Sequence, residues 1–304
     1  MVKIIEVIGL HKYFGKHHIL KNISFSLNKG EIVGFIGPNG SGKSTTMKCM
    51  VSLIFPEKGE IIIDGFSLSE ERNKAICKIA ALIESPGLYP NLSGIDNLSL
   101  FATLKNVNKN RVKEIIEIIQ LGDGINKKVK EYSMGMKQRL ALGIVLLSKP
   151  EYIILDEPFN GLDPQGVFDL RTVLVDLAKE GHGIMISSHQ LLELEKISKR
   201  NIFIKKGEIV EEKDLKQEDS ISTYKVSFTN GNFPNKNLIN ELLDRNYIVN
   251  CEIIDYFYLF QLPQGTRFSN LLIRLLDEGL EIDSIIPVEG NIESIYRDIY
   301  LKGD

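Results

Sequence analysis

Residues 37–44 read Gly-Pro-Asn-Gly-Ser-Gly-Lys-Ser and fit the pattern G-x-x-x-x-G-K-[ST]. Glycines allow backbone N–H groups to close around phosphate oxygens, and the N-terminal end of a following helix adds partial positive charge. A lysine at this position can reach the β- and γ-phosphates, and the next hydroxyl can bind Mg²⁺. We therefore expect Lys43 and Ser44 to bind the phosphates and the metal ion of a nucleoside triphosphate.

The residues around this segment predict the strand and the helix that a phosphate-binding loop requires. The apolar run 32–36 comes directly before it and indicates a buried strand. Apolar residues recur after it at helical spacing: Met47, Met50, Val51 and Ile54. An ordinary glycine-rich turn is the alternative, and the flanking strand and helix argue against it.

Two adjacent carboxylates end a second apolar run, residues 152–155. Ligands of open α/β sheets bind at the carboxyl ends of the strands, so Asp156 and Glu157 are expected to face the phosphates. Asp156 suits Mg²⁺, and Glu157 is placed to orient or deprotonate an attacking water. A solvated acidic strand end without such a role is the alternative.

A histidine and an aromatic residue are further candidates. His189 follows a third apolar run, and its place at a strand end favours a role at the site, although single histidines are more often structural. Phe14, beside Tyr13, offers a ring on which a nucleotide base can stack. Packing in the core is the alternative for Phe14.

The composition predicts an ordinary globular protein of one large domain or two smaller ones. The 304 residues are 43% hydrophobic and 25% charged, and the net charge of −3 gives no reason to expect nucleic acid as a partner. Three scattered cysteines, among them Cys49 in the predicted helix, indicate reduced thiols and a cytosolic compartment. The N-terminal residues indicate a strand rather than a signal peptide. No apolar run approaches 18 residues, so work at a membrane would need a partner.

The pattern of apolar and charged residues changes twice along the chain. Residues 4–36 are rich in strand patterns, and residues from about 72 to 148 are rich in helical ones. The charged stretch 211–219 is interpreted as a solvated connector. After it the order strand–helix–strand–strand–helix–strand, followed by a last helix, predicts a small two-layer α+β unit. A packing or dimer-stabilising role and a regulatory ligand site both stay open for this unit.

Five motifs, taken in order, resemble those of the nucleotide-binding subunits of ATP-binding-cassette (ABC) transporters over residues 1 to about 215. The motifs are the phosphate loop (Walker A), the signature Tyr132–Arg139, Leu155-Asp156-Glu157-Pro158 (Walker B), the D-loop Asn160-Gly161-Leu162-Asp163 and the switch loop Ser187-Ser188-His189. The resemblance implies an α/β P-loop NTPase cassette at residues 1–217, with a RecA-like core, an antiparallel β subdomain and a helical subdomain. Residues 218–304 would form a C-terminal accessory α+β domain.

The resemblance also implies roles for individual residues. Phe14 would stack on adenine, Glu157 would be the general base, and His189 would contact the γ-phosphate. The ATP site would comprise Phe14, Gly37, Pro38, Asn39, Gly40, Ser41, Gly42, Lys43, Ser44, Thr45, Ser133, Gly135 and Asp163, and the Mg²⁺ site Ser44, Asp156 and Glu84. Ser133 and Gly135 would act in trans, so that ATP lies between two cassettes arranged head to tail.

The chain departs from the family pattern at two places. The common form of the signature is Ser-Gly-Gly-Gln. This chain retains the serine and the second glycine as Ser133 and Gly135, but it has Met134 in place of the first glycine and Met136 in place of the glutamine. Glu84 stands where the family usually has a glutamine that senses Mg²⁺ and the membrane subunit, and a surface residue without a role is the alternative. Together with Ser85-Pro86-Gly87-Leu88-Tyr89-Pro90-Asn91-Leu92, these features resemble exporters that confer resistance to bacitracin or immunity to lantibiotics.

The function implied is an ATPase subunit that works at the cytoplasmic face of the membrane. It would power export through transmembrane permease subunits on separate chains. A soluble ABC ATPase acting on the ribosome or DNA is the alternative, but such proteins usually carry two cassettes or a long coiled coil, and a basic surface. A scaffold without turnover is countered by the set Lys43, Asp156, Glu157 and His189. The cargo, the direction of transport and the choice between a homodimer and a heterodimer stay open.

Overall fold

The computed structural model describes residues 4–84, 87–214, 222–229, 233–254, 256–263, 265–288 and 292–301. The chain divides into two compact units. The first comprises Met1–Leu215 together with Ile299–Asp304, and the second comprises Lys216–Asp298. The division falls two residues before the expected boundary at 217/218, and the last residues of the sequence group with the first unit rather than with the second.

The first unit alternates strands and helices. In chain order its elements are β1 (Ile4–Phe14), β2 (His17–Asn28), β3 (Ile32–Ile36), α1 (Lys43–Met50), β4 (Lys58–Ile63), β5 (Phe66–Ser67), α2 (Arg72–Ile76), β6 (Ile79–Leu82), α3 (Gly94–Leu104), α4 (Lys109–Ile119), α5 (Met134–Leu146), β7 (Tyr152–Asp156), α6 (Pro164–Lys179), β8 (Gly183–Ser187), α7 (Leu191–Glu195), β9 (Arg200–Lys205) and β10 (Glu208–Asp214). Two short 3-10 helices, Gly122–Asn126 and Val129–Glu131, lie between α4 and α5.

The second unit follows the predicted order of elements. These are β11 (Ser222–Phe228), α8 (Lys236–Asp244), β12 (Asn250–Ile254), β13 (Phe257–Leu262), α9 (Phe268–Asp277) and β14 (Ile282–Val288). A last helix, α10 (Ile292–Tyr300), comes after them.

A mixed sheet in the order β10-β9-β3-β8-β7-β6 positions the site. Its inner strands are parallel, and β10 pairs antiparallel with β9. Every residue of β3, β7 and β8 is buried, as expected of parallel strands covered on both faces. The loops after these three strands therefore emerge at one edge, where the predicted phosphate loop, carboxylates and histidine lie.

A second sheet, β2-β1-β4-β5, is antiparallel. Alternate residues of β2, namely Ile23, Phe25 and Leu27, are buried, which agrees with their period of two. They belong to the same hydrophobic core as Met47 of α1 and Phe35 of β3, so this sheet packs on the phosphate-loop helix.

Helices dominate residues 94–146. The side chain of Ser93 caps α3, and that of Asn108 caps α4. A β-carbon at Gly143 of α5 would lie 2.9 Å from side-chain atoms of Ile115 and Ile119, so α4 and α5 pack in close contact there. This packing fixes α5, whose N-terminus carries the signature.

The second unit is a two-layer α+β unit with its own core. Its antiparallel sheet has the order β12-β13-β11-β14, which is the ferredoxin-like arrangement. Leu238 and Leu242 of α8 and Leu271 and Leu275 of α9 pack on this sheet. None of the helices in the described ranges of either unit combines the length and the apolar character of a membrane span.

The interpretation of residues 211–219 as a connector is wrong for its first half. Residues 211–214 are the end of β10, with Glu212 opposite Ile202 and Asp214 opposite Arg200. A strand accommodates this charge because the guanidinium of Arg200 forms an ion pair with Glu212. Residues 215–219 lie outside the described residues, as do Ser85 and Pro86 of the segment that resembles the resistance exporters.

Candidate nucleotide-binding site

The segment 37–44 forms the turn between β3 and α1. Gly42 precedes α1 with a φ of +114°, a conformation that side chains disfavour. The Lys43 ammonium folds back over the turn, and its Nζ donates to the carbonyl oxygens of Gly37 at 2.7 Å and Pro38 at 3.2 Å. The lysine side chain therefore satisfies two carbonyl oxygens of its own turn.

Burial lowers the pKa of the Lys43 ammonium, and the negative charges of Glu157 and Asp156 oppose that shift. These are the two carboxylates expected to face the phosphates. A sheltered ammonium interacts more strongly with anionic oxygens than an exposed one does, because the local dielectric constant is lower.

Two features of the turn indicate whether it can bind phosphate: how closely its backbone approaches the next strand, and whether its buried polar atoms have partners. A β-carbon at Gly37 would lie 2.4 Å from the carbonyl oxygen of Ile204, so the backbone there can be formed only by glycine. Ser41 is buried, and its Oγ is one of the buried side-chain oxygens that have no hydrogen-bond partner among the described residues. Buried polar atoms normally have a partner, and a bound phosphate would supply one.

The two carboxylates after β7 have different environments. Asp156 is 9% exposed and accepts a short hydrogen bond from the Ser187 hydroxyl of β8, the residue opposite it in the sheet. Glu157 has a left-handed backbone, with φ of +51°. Its N–H donates to the carbonyl and the hydroxyl oxygens of Ser187, at 3.1 and 3.0 Å, which stabilises this unusual conformation.

His189 lies beside Glu157. Its Nδ1 is 2.9 Å from Glu157 Oε2, and its backbone N–H donates to the same oxygen at 3.2 Å. The histidine side chain is 64% exposed, whereas that of the glutamate is 23% exposed. The structure therefore brings these two predicted residues together.

A cavity of about 320 Å³ joins the predicted base and phosphate regions. Its walls are formed by Phe14, Ile19, Asn39, Gly40, Gly42, Lys43, Ser44, Thr45, Asp156 and Glu157. Phe14 is 49% exposed, so the alternative that it packs in the core is wrong. Tyr13 instead stacks on His18, with ring centroids 4.1 Å apart.

Ile19 was not predicted from the sequence. An aliphatic residue in a strand carries no chemical mark, and only the pairing of β1 with β2 brings it to the wall on which Phe14 lies.

The donor set suits Mg²⁺ held together with a bound triphosphate. The described residues contain no group of three or more histidine, cysteine or acidic side chains that could hold a metal ion. Mg²⁺ is usually bound by one or two protein oxygens together with substrate phosphates and water. The Ser44 hydroxyl and the Asp156 carboxylate lie on the walls of the same cavity and fit that pattern.

Glu84 was expected at the Mg²⁺ site together with Ser44 and Asp156, but it lies elsewhere. It is not among the residues that line the cavity, and its Oε1 lies 2.6 Å from Lys48 Nζ of α1. Its side chain is 67% exposed, and its φ is +65°. Glu84 brings a negative charge to a position where the family usually has a neutral glutamine. The lysine of the phosphate-loop helix neutralises that charge.

The signature and D-loop residues lie on helix starts outside the cavity. The Ser133 hydroxyl accepts from the N–H of Met136 at the start of α5, and Asp163 accepts from Gly166 at the start of α6. Gly135 lies in the first turn of α5, next to Ser133. A β-carbon at Gly161 would lie 3.1 Å from Met134 Cγ, so the Met134 side chain lies on the D-loop.

Comparison with known proteins identifies the family of this chain. The family profile described as "ABC transporter" matches residues 20–160. The uncharacterized ABC transporter ATP-binding protein YdbJ of Bacillus subtilis is 39% identical over 95% of this chain and 93% of its own length. The lantibiotic transport ATP-binding protein SrtF of Streptococcus pyogenes is 40% identical over 69% of this chain and 90% of its own. The bacitracin transport ATP-binding protein BcrA of Enterococcus faecalis is 38% identical over 71% of each.

Solved structures show the same fold. The ATP-binding subunit of an ABC transporter matches with a TM-score of 0.64 and 28% identity, over 70% of this chain and 90% of that one. A dimeric post-hydrolysis cassette with ADP and phosphate bound matches with a TM-score of 0.63 and 26% identity, over 70% and 99%. The family resemblance and fold class inferred from the motifs are confirmed. This chain belongs to the ABC transporter family as an ATP-binding, ATP-hydrolysing cassette.

Proposed function

We propose that this protein is the ATPase subunit of an exporter that removes peptide antibiotics, and that two cassettes close on ATP during each cycle. The observation that supports it most is the shared cavity, in which Lys43, Asp156 and Glu157 face the same space as Phe14. An aromatic wall for a base, a cation for phosphates and two carboxylates are the parts that ATP hydrolysis needs.

When ATP binds, the Lys43 ammonium exchanges its hydrogen-bond partners. The ammonium leaves the Gly37 and Pro38 carbonyls and takes phosphate oxygens instead, while the N–H groups at the start of α1 face the same anion. Phe14 and Ile19 hold the adenine. Ser44 and Asp156 would hold Mg²⁺, which would supply positive charge that offsets the charge of the phosphates.

Glu157 then acts as the general base and His189 as the γ-phosphate contact. In the present conformation they interact with each other, at 2.9 Å. The imidazole has a second ring nitrogen, Nε2, which can contact the γ-phosphate while Nδ1 stays beside the carboxylate. The carboxylate can accept a proton from the attacking water, so the pair brings the base and the phosphate contact together.

The second cassette contributes its signature. Ser133 and Gly135 lie at the N-terminal end of α5, where backbone N–H groups and the helix dipole favour an anion. We place them on the γ-phosphate bound by the other cassette, with Asp163 of the D-loop nearby. Residues 1–217 serve as the cassette and residues 218–304 as its accessory domain.

The partners are permease subunits on separate chains, and the protein associates peripherally with the cytoplasmic face of the membrane. The names of SrtF and BcrA describe transport of a lantibiotic and of bacitracin, which supports peptide antibiotics as the cargo class. All these relatives are named as transport or transporter proteins, which favours transport over action on the ribosome or DNA.

The test of turnover compares two variants of the full chain. Glu157→Gln should slow ATP hydrolysis by about 10²–10⁴-fold, since it removes the base. ATP binding should remain, and gel filtration with Mg-ATP should show a dimer. Lys43→Ala should lose both hydrolysis and the dimer. A Glu157→Gln protein that turns over normally, or that stays monomeric with ATP, would contradict the proposal.

The cargo needs a separate experiment. Purification of the tagged protein from membranes should recover permease subunits. Cells lacking the complex should become sensitive to lantibiotics or bacitracin, and wild-type protein but not Lys43→Ala should restore resistance. Unchanged sensitivity to both would remove the cargo assignment and leave the ATPase intact.

A further inference from the structure

Tyr300 lies at the base of the phosphate loop. It ends α10, and Ile299 and Tyr300 belong to the same compact unit as the cassette. The Tyr300 hydroxyl is 2.9 Å from the carbonyl oxygen of Ile204 and 3.2 Å from that of Ile36. Ile36 is the residue immediately before Gly37.

These two carbonyls lie where the strands of the sheet separate. Pairing of β3 with β8 ends at Phe35 opposite Ser187, whereas pairing with β9 continues to Ile36 opposite Phe203. The chain then leaves the sheet at Gly37, in contact with the Ile204 carbonyl. Buried carbonyls at such a point need a donor, and the tyrosine hydroxyl provides it.

Lys205 holds the tyrosine in place. Its Nζ donates to the Ile299 carbonyl at 2.8 Å and lies 5.8 Å from the centre of the Tyr300 ring. Lys205 follows Ile204 at the end of β9, so the same strand end supplies both the lysine and one of the two carbonyls.

We infer that Tyr300 is a positioning residue for the phosphate loop. Its hydroxyl fixes the peptide between Ile36 and Gly37, where the chain enters the phosphate loop, and so fixes the direction in which the loop leaves the sheet. Residues more than 250 positions apart thereby set the geometry of the first phosphate contact. This inference rests on the proposed binding of ATP at that loop.

The test measures Mg-ATP binding and steady-state hydrolysis of full-length Tyr300→Phe. One neutral hydrogen bond corresponds to about a two- to tenfold change in an equilibrium constant. The dissociation constant and KM for ATP should rise by that factor, while kcat stays within about twofold, since the ground state and the transition state lose the same interaction. Tyr256→Phe is the matched control, because Tyr256 is 82% exposed and lies in the second unit.

Lys205→Met is the second variant and keeps the test decisive if Tyr300→Phe folds poorly. It should weaken ATP binding in the same direction, and the double variant should be no weaker than Tyr300→Phe alone, because both act through one hydroxyl. ATP binding by Tyr300→Phe within twofold of wild type, or an equal loss in Tyr256→Phe, overturns the inference. Failure of the wild-type chain to bind ATP would instead contradict the proposed function.

Discussion

At the scale of single residues, the chemistry depends on an ammonium and two carboxylates that face one cavity, and on a histidine beside one of those carboxylates. The spacing of Lys43 and Ser44 and the strand-end position of Asp156 and Glu157 predicted their place, because each motif is contiguous. Pairing between distant residues was not predictable in this way. Nothing in the local sequence indicates that the Glu157 carboxylate interacts with His189.

Glu84 shows the same limit. Its identity and its position after β6 were read from the chain, but its partner Lys48 lies on α1, 36 positions earlier. An exposed ion pair of this kind contributes about 0–1 kcal/mol to stability. Stability alone therefore does not explain the residue, and its role in coupling can be tested separately.

Glu84→Ala should lower ATP hydrolysis stimulated by the permease subunits and should reduce resistance in cells, whereas Glu84→Gln should retain both because it still accepts hydrogen bonds. The free energy of unfolding should fall by less than about 1 kcal/mol. Glu71→Ala is the control, since Glu71 forms a comparable exposed ion pair with Lys74. If Glu84→Ala behaves like Glu71→Ala in stimulated hydrolysis, Glu84 is a surface residue.

At the scale of elements, the periodicity of apolar residues predicted the strands and helices. The prediction was wrong at a charged run. Runs such as that of β7 are buried along their whole length, and the alternation in β2 matches its buried face. The charge of residues 211–214 predicts a connector because charged runs are usually solvated, yet an edge strand tolerates that charge. The cation that allows it, Arg200, comes from the neighbouring strand.

The two methionines of the signature differ in what they contact. Met134 lies on Gly161 of the D-loop, whereas Met136 packs near Gly124, where a β-carbon would lie 2.7 Å from its Cε. Met134 therefore joins the start of α5 to the loop that leads into α6. The position that is usually glycine in the family links two loops proposed to meet the second cassette.

Met134→Ala should weaken the ATP-dependent dimer of the Glu157→Gln protein by several-fold, since D-loop residues lose a packing partner. ATP binding by the monomer should stay unchanged. Met136→Ala removes the same atoms from the same helix turn but leaves the D-loop contact, so it should preserve the dimer. Analytical ultracentrifugation with Mg-ATP measures both. Equal weakening by the two variants would show that only the start of α5 matters.

At the scale of the whole molecule, the described residues include two hydrophobic cores that are separate from each other. One includes residues of both cassette sheets, with Phe35 and Met47, and the other lies between the ferredoxin-like sheet and its helices, with Phe260 and Leu271. The order of strands and helices in the second unit was predicted from the sequence, but the grouping of Ile299–Asp304 with the first unit was not. That grouping depends on contacts such as the hydrogen bonds of Tyr300, which periodicity does not reveal.

Separate cores predict separate unfolding, and ATP should stabilise only one of the two units. In calorimetry of the Glu157→Gln protein, Mg-ATP at about 100 times its dissociation constant should add about 2.7 kcal/mol to the unfolding of the cassette. For a unit of this size that shifts the midpoint by about 5–10 °C, while the transition of the second unit stays in place. Lys43→Ala should show no shift. A single transition that moves as a whole with ATP would mean that the second unit unfolds together with the cassette, and its separate core would then not confer independent stability.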